Sequence, residues 1–117
     1  MKIFDRSDLL ERLGDDEEFC KEIIELFIDD TPNQIKELKI ALEKKDASTV
    51  HRRSHAIKGS SANTSALSMQ EVASQMETAG KNNNLDSVAA LLFKFEEEFE
   101  KFKKTVNDLG ILTEDDN

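Results

Sequence analysis

The carboxyl-terminal part of the chain carries an apolar pattern that is typical of a long helix with one buried face. Between positions 88 and 109, apolar residues recur at the 3.6-residue period of an α-helix. They are Val88, Leu91, Leu92, Phe95, Phe99, Phe102, Val106 and Leu109. Glutamates and lysines fill the opposite face, so we expect that face to contact water. Such a helix has to cover its apolar stripe with other elements of the chain.

Residues that form turns are too scarce for a fold made of many short strands. The chain has four glycines and one proline among its 117 residues, and it contains no tryptophan or tyrosine. This scarcity favours long helices. We expect four long amphipathic helices with short loops and an additional short N-terminal helix, which predicts an all-α, antiparallel up-down-up-down four-helix bundle. Residues 1–112 should form a single domain, and residues 113–117, TEDDN, a disordered acidic tail.

Two apolar residues near the N-terminus fall outside the buried stripe that the local pattern predicts. The segment DDEEFCKEIIELFIDD opens at Asp15, and its expected buried residues are Phe19, Ile23, Leu26 and Phe27. Ile24 and Ile28 lie off this stripe. They pack beneath the N-terminal helix, or they stay partly exposed.

Capping residues predict where most helices begin and end. Ser, Thr and Asp favour helix starts, proline favours the first helical position, and glycine favours helix ends. The expected boundaries are a short first helix from Asp5 or Ser7 to Gly14, a start at Thr31-Pro32, caps at Asp46 and Ser68, and stops at Gly80 and Gly110.

Charge and cysteine content exclude several classes of function. The net charge of −9 argues against binding to nucleic acid or to an anionic membrane surface. No run of about 18 apolar residues predicts a transmembrane span, and the segment MKIFDRSDLL lacks the apolar core of a signal peptide. The single cysteine, Cys20, has no partner for an internal disulfide. We therefore expect a cytoplasmic protein, and a monomer.

The stretch HAIKGSSAN, from His55 to Asn63, combines a histidine with small and polar residues in a predicted helix. On a helical wheel with Val50 at zero, the buried face consists of Val50, Ser54, Ile57 and Ser61. His55 falls at about 140°, Gly59 at about 180° and Lys58 at about 80°. The wheel therefore predicts an exposed imidazole that has a cation nearby and no side chain one turn further on.

Two other kinds of site would also use this histidine, a metal site and a hydrolase site. His51 and His55 have the i, i+4 spacing of a metal-binding pair, but Arg52 and Arg53 lie between them and no acidic residue is close in sequence. A hydrolase would need an orienting acid, an oxyanion hole and a pocket, and no motif indicates them. We therefore expect no metal site and no independent enzyme.

The segment from His55 to Asn63 closely resembles the signature of histidine-containing phosphotransfer (HPt) domains, the intermediates of two-component phosphorelays. Their pattern is roughly histidine, any residue, an apolar residue, lysine, glycine and then small residues. The segments LGDDEEFCKEIIELFIDDTPNQIKELKIALEKKD and METAGKNNNLDSV also resemble parts of the family's bundle. The likeness extends from about Phe4 to Leu109. At Thr64-Ser65 the chain departs from the family, which often has Leu-Gly there, so the geometry of that turn is open.

The resemblance implies a role for three residues of the motif. His55 would accept the phosphoryl group from a receiver-domain phospho-aspartate and pass it to an aspartate of another receiver. Lys58 would stabilise the phosphoryl charge, and Gly59 would leave space beside the imidazole.

The resemblance also implies partners and a cofactor arrangement. The partners would be response-regulator receiver domains and a hybrid sensor kinase, with Mg²⁺ on the receiver and no cofactor on this chain. The expected partner-binding residues are Ala62, Lys81, Ile24 and Ile28. The alternative is a helical protein-interaction module without phosphoryl chemistry.

Overall fold

Within residues 1–112, which the computed structural model describes, the chain forms five α-helices and no strand. They are α1 (Arg6–Arg12), α2 (Glu17–Glu43), α3 (Ala47–Asn63), α4 (Leu67–Lys81) and α5 (Leu85–Asp108). The predicted all-α class is confirmed. The predicted acidic tail, residues 113–117, lies outside the described residues.

The four long helices form an antiparallel bundle because only short segments, residues 44–46, 64–66 and 82–84, connect them. Each connection contains one residue in the left-handed region, Lys45 (φ 54°), Ser65 (φ 55°) or Asn83 (φ 62°). A left-handed residue directly after a helix reverses the chain within a few residues. The predicted bundle with an additional short N-terminal helix is therefore confirmed.

The aromatic stripe of α5 forms the centre of the core. Phe95 and Phe102 are fully buried, and Phe102 packs edge-on against Phe4 and Phe27 with ring centroids 5.5 and 5.3 Å apart. The predicted period of α5 is confirmed for most of its members. Leu109 is an exception, since it caps the helix and is 47% exposed.

The predicted helix start at Thr31-Pro32 is wrong. The helix continues through Thr31 and Pro32, and the Thr31 hydroxyl donates a hydrogen bond of 2.6 Å to the Phe27 carbonyl. Proline removes one helical hydrogen bond. Phe27 and Ile35, on either side of it, are both buried, so packing holds the two halves in one helix.

The buried face of α2 also differs from the predicted one. The buried residues at its N-terminal end include Cys20, Ile24 and Phe27, whereas Phe19 is 43% and Leu26 64% exposed. The reason is a tertiary contact. Ile24 lies beneath the N-terminal segment and α1, and the local apolar period carries no information about that contact. Ile24 thus packs beneath the N-terminal helix, which is one of the two positions predicted for it.

Two predicted boundaries of α4 are also wrong, whereas the Asp46 cap of α3 is confirmed. Ser68 does not cap α4: the helix begins at Leu67 after Ala66, which makes no side-chain capping bond, and Ser68 is buried. Gly80 lies inside α4, where a Cβ atom would come within 3.2 Å of the His51 Cα atom. This glycine therefore permits the close approach of α3 and α4. Asp46 accepts a hydrogen bond from the Thr49 amide.

None of the helices in the described part of the chain combines the length and the apolar character needed to cross a bilayer.

Candidate functional site

The exposed face of α3 carries the histidine that the motif singles out. Val50, Ser54, Ile57 and Ser61 are all buried, as the wheel predicts. The side chain of His55 points away from them and is 66% exposed. The predicted exposure of the imidazole is therefore confirmed, and a macromolecule could reach the ring without any movement of the bundle.

One nitrogen of the His55 ring is held by Glu77, a residue that no sequence motif indicates. Glu77 of α4 places Oε2 2.6 Å from His55 Nδ1. An ionised carboxylate only accepts hydrogen bonds, so Nδ1 carries the proton in this contact. In the neutral ring, the lone pair then lies on Nε2.

Glu77 also binds Lys58, through its second carboxylate oxygen. The distance from Lys58 Nζ to Glu77 Oε1 is 2.6 Å. The Lys58 ammonium lowers the pKa of Glu77 most, partial burial acts against it, and the His55 contact lowers it further. Glu77 is therefore ionised at neutral pH, and both of its oxygens have a partner.

The Lys58 and Gly59 positions differ in how this chain uses them. Lys58 is only 34% exposed and lies against α4, so in this state the ammonium is bound to Glu77 and is not free beside His55. At Gly59 an added Cβ atom would have nothing within 4 Å. The packing of this chain therefore does not require glycine there, and the position borders open space one turn from the imidazole.

Among the four expected partner-binding residues, one assignment is wrong. Ile24 is 1% exposed and offers no surface to a partner. Ile28 is half-buried against the core, and Ala62 is half-buried with its carbonyl 3.2 Å from an Arg12 nitrogen. Lys81 is exposed at the end of α4.

An apolar stripe on α2 that the local period predicts to be in the core is at the surface. This surface stripe consists of Phe19, Ile23 and Leu26, with Ile23 half-buried. Phe19 precedes Glu37 by 18 residues, which is five helical turns, so the two side chains leave α2 in the same direction. Glu37 forms an ion pair with Arg53 of α3. The surface stripe therefore lies on the side of α2 that borders α3.

The turn after the motif adopts the geometry that glycine favours, although this chain has serine there. Ser65 has a φ of 55°. Its hydroxyl donates to Asp8 Oδ2 at 2.8 Å and accepts a hydrogen bond of 2.5 Å from Arg12. These contacts with α1 stabilise the turn, so the departure from the family pattern leaves α3 and α4 antiparallel neighbours.

Glu77 could not be found from local sequence because its significance depends on a neighbouring helix. It follows Met76 at the margin of the buried face of α4, and it precedes Gly80 by three residues. A charged residue at the margin of a buried stripe faces a neighbouring helix, but sequence alone does not say which residues it meets there. Within residues 1–112, no group of three or more His, Cys, Asp or Glu side chains is arranged to hold a metal ion.

Known proteins share both the sequence pattern and the fold of this chain. The phosphorelay intermediate protein rdeA of Dictyostelium discoideum is 27% identical over 107 residues, which cover 92% of this chain and 42% of that protein. The chain thus spans less than half the length of this relative. The crystal structure of histidine-containing phosphotransfer protein B from Pseudomonas aeruginosa PAO1 superimposes with a TM-score of 0.82, covering 91% of this chain and 92% of that one. At 22% identity, this likeness supports the fold.

The Hpt domain family model matches residues 22–105, a segment that begins within α2 and ends within α5. The match includes the histidine motif of α3 and the Glu77 contact from α4. Because the family model spans most of the bundle, this chain belongs to the Hpt domain family.

Proposed function

We propose that this chain is a phosphoryl carrier in a phosphorelay. His55 would accept a phosphoryl group from an aspartyl phosphate on a receiver domain and pass it to an aspartate of another receiver. The observation that carries this proposal is the contact between His55 Nδ1 and Glu77, which leaves an unprotonated Nε2 on an exposed ring.

The transfer step balances at this nitrogen. The Nε2 lone pair forms the N–P bond, and the P–O bond to the aspartyl carboxylate breaks, so the carboxylate leaves with the electron pair. The Nδ1 proton stays in place, and the ring becomes cationic. Glu77, 2.6 Å from Nδ1, offsets this developing charge. The exposed ring also meets the need for nitrogen, phosphorus and oxygen to align.

Lys58 would stabilise the phosphoryl oxygens after transfer. Its ammonium lies on the same face of α3 as the imidazole but is bound to Glu77 before phosphorylation. A doubly charged phosphoryl group attracts the ammonium more strongly than one carboxylate oxygen does. We infer that Lys58 turns toward the phosphoryl group once it is attached to Nε2.

The surface stripe of α2 suits the docking of a receiver. Arg53 marks where α2 and α3 lie side by side, and Leu26 lies 11 residues from Glu37, or about 16 Å along α2. In the antiparallel pair this direction leads past His55 and Gly59, so Leu26 lies about 13 Å beyond His55 along the bundle. An interface of about 800 Å² per partner is roughly 30 Å across, which is wide enough to span this distance along the bundle.

The partner side of the reaction belongs to the same proposal. A receiver domain would supply the aspartate and the Mg²⁺ that offsets phosphate charge, and a hybrid sensor kinase would supply the phosphoryl group. The chain would work as a cytoplasmic monomer and as a substrate of these proteins, without independent catalytic activity.

A labelling experiment tests the proposal. The chain is incubated with a receiver that carries ³²P on its aspartate, and label on this chain is tested for lability in acid and stability in alkali. We expect wild type and His51→Gln to take up label and His55→Gln to take up none. Equal labelling of His55→Gln would contradict the acceptor assignment. Unlabelled wild type, with retained receiver binding, would favour the helical interaction module.

A further inference from the structure

Three basic side chains of α3 converge on one carboxylate. His55 Nδ1 and His51 Nε2 both approach Glu77 Oε2, at 2.6 and 3.9 Å, while Lys58 Nζ lies 2.6 Å from Oε1. We call His51, His55 and Lys58 the base cluster. The proposed transfer gives a role to every member except His51, whose side chain is 40% exposed.

Backbone packing fixes His51 in this position. Gly80 of α4 lies so close that an added Cβ atom would come within 3.2 Å of the His51 Cα atom. Glu77 lies about one turn before Gly80 on the same helix. The close approach of the two backbones therefore brings the Glu77 carboxylate beside the His51 ring.

We propose that His51 is a positioning residue that competes with His55 for Oε2 of Glu77 when His51 is protonated. This inference rests on the proposed function. A protonated His51 is a cationic donor directed at the oxygen that accepts the His55 Nδ1 proton. An oxygen that two cationic donors share stabilises each of them less. His51 thus makes the support that Glu77 gives to His55 depend on pH.

The direction of the effect follows from the charge of the phosphorylated ring. The N–P bond at His55 Nε2 leaves a cationic ring, which Glu77 offsets. Protonation of His51 weakens this offset and raises the free energy of the phosphohistidine. The phosphoryl group then leaves more readily for an aspartate or for water. We expect faster release from chains in which His51 is protonated than from chains in which it is neutral.

Few other charged groups surround His51. On α4, Lys81 follows Glu77 by four residues and is exposed. On α2, Glu37 pairs with Arg53, on the other side of α3. On α3 itself, Arg52 and Arg53 directly follow His51, and the other two members of the base cluster share Glu77 with it. Among the described residues, Glu77 is the carboxylate with an ionic contact to His51.

The first test uses the unphosphorylated chain and two matched variants. His51→Gln is uncharged at every pH, and His51→Lys keeps a positive charge. The ring ¹⁵N shifts of His55 report the fraction of neutral rings with the proton on Nδ1. We expect this fraction to be higher in His51→Gln than in His51→Lys, and the difference to shrink when Glu77→Gln is added to both. Identical fractions in the two variants would overturn the inference.

The second test follows phosphoryl release from chains loaded by a phosphorylated receiver. We expect His51→Lys to lose the phosphoryl group roughly two- to fivefold faster than His51→Gln, the range expected for an exposed ion pair. Wild type should follow His51→Lys in acid and His51→Gln in alkali. Superimposable pH profiles of the release rate for His51→Lys, His51→Gln and wild type would overturn the role of His51. If wild type takes up no phosphoryl group, the proposed function fails, and the ¹⁵N measurement still decides the competition for Glu77.

Discussion

Gly59→Ala separates the requirements of folding from those of phosphoryl transfer. The new Cβ atom would have no neighbour within 4 Å, so it creates no clash within the chain. Alanine in place of glycine in a helix interior stabilises it by about 1 kcal/mol. For a domain of this size, that gain raises the midpoint of thermal unfolding by about 4 °C.

The same methyl group would obstruct an approaching receiver. Gly59 lies one turn beyond His55 on the exposed side of α3, where the aspartyl phosphate would have to approach. A displacement of the reacting atoms by about 1 Å costs on the order of 100-fold in rate. We therefore expect a more stable protein that accepts phosphoryl groups about 100-fold more slowly.

Thermal unfolding by circular dichroism and rapid-quench transfer from a labelled receiver measure the two effects. Ala56→Gly is the matched control, because Ala56 is exposed on the same helix and its loss removes atoms and adds none. It should lower stability by about 1 kcal/mol and leave the transfer rate close to wild type. Gly59→Ala with an unchanged transfer rate would refute the idea that this glycine serves the partner, and a less stable Gly59→Ala would refute the packing argument.

Three further predictions concern the carboxylate, the docking surface and the proline. Glu77→Gln should slow transfer by about tenfold, as for carboxylates that orient metal-bound imidazoles. Because Lys58 above all holds the pKa of Glu77 below its ordinary value of 4.5, the contacts of its carboxylate stabilise the fold above that pH. This contribution is lost as the pH falls through the lowered pKa. The free energies of unfolding of wild type and Glu77→Gln, measured in urea, should therefore converge in acid, and a difference that does not change with pH would contradict this. Leu26→Asp should weaken receiver binding about tenfold in calorimetry at unchanged stability. Phe93 on α5 is exposed to a similar extent, and Phe93→Asp should leave binding unchanged; equal losses would argue against the stripe. Pro32→Ala restores a helical hydrogen bond and should raise the free energy of unfolding by about 1 to 3 kcal/mol, and a decrease would show that α2 needs the proline.

The predictions that hold concern helices whose buried face is set by one period along their whole length. In α5 the aromatic stripe identifies the core because glutamates and lysines fill most of the opposite face, on which Phe93 is the exposed apolar exception. In α3 the buried set of Val50, Ser54, Ile57 and Ser61 was predictable for the same reason, although its interior has little bulk. Exposure of His55 follows from that register alone.

The predictions that fail depend on contacts between distant segments. The N-terminal end of α2 is covered by α1 and by Phe4, so its buried face is not the one with the most apolar residues. Gly80 looks like a helix stop, but it is needed at a contact with α3. Glu77 is a common type of residue on a helix margin, and only the packing of α4 on α3 gives it three basic neighbours.

The shared carboxylate has a consequence for how a carrier of the proposed kind would work. A phosphohistidine that accepts a group from one aspartate and returns it to another has to be neither too stable nor too reactive. Glu77 acts on both sides of that balance: its Oε2 stabilises the cationic ring, whereas its Oε1 holds Lys58, the cation that would stabilise the phosphoryl oxygens. Removal of Glu77 would therefore weaken the stabilisation of the cationic ring and release Lys58 to bind the phosphoryl oxygens. For that reason Glu77→Gln should change the rate of transfer more than the equilibrium between phosphohistidine and phospho-aspartate. Lys58→Met removes only the contact with the phosphoryl oxygens, so it should shift that equilibrium toward the receiver.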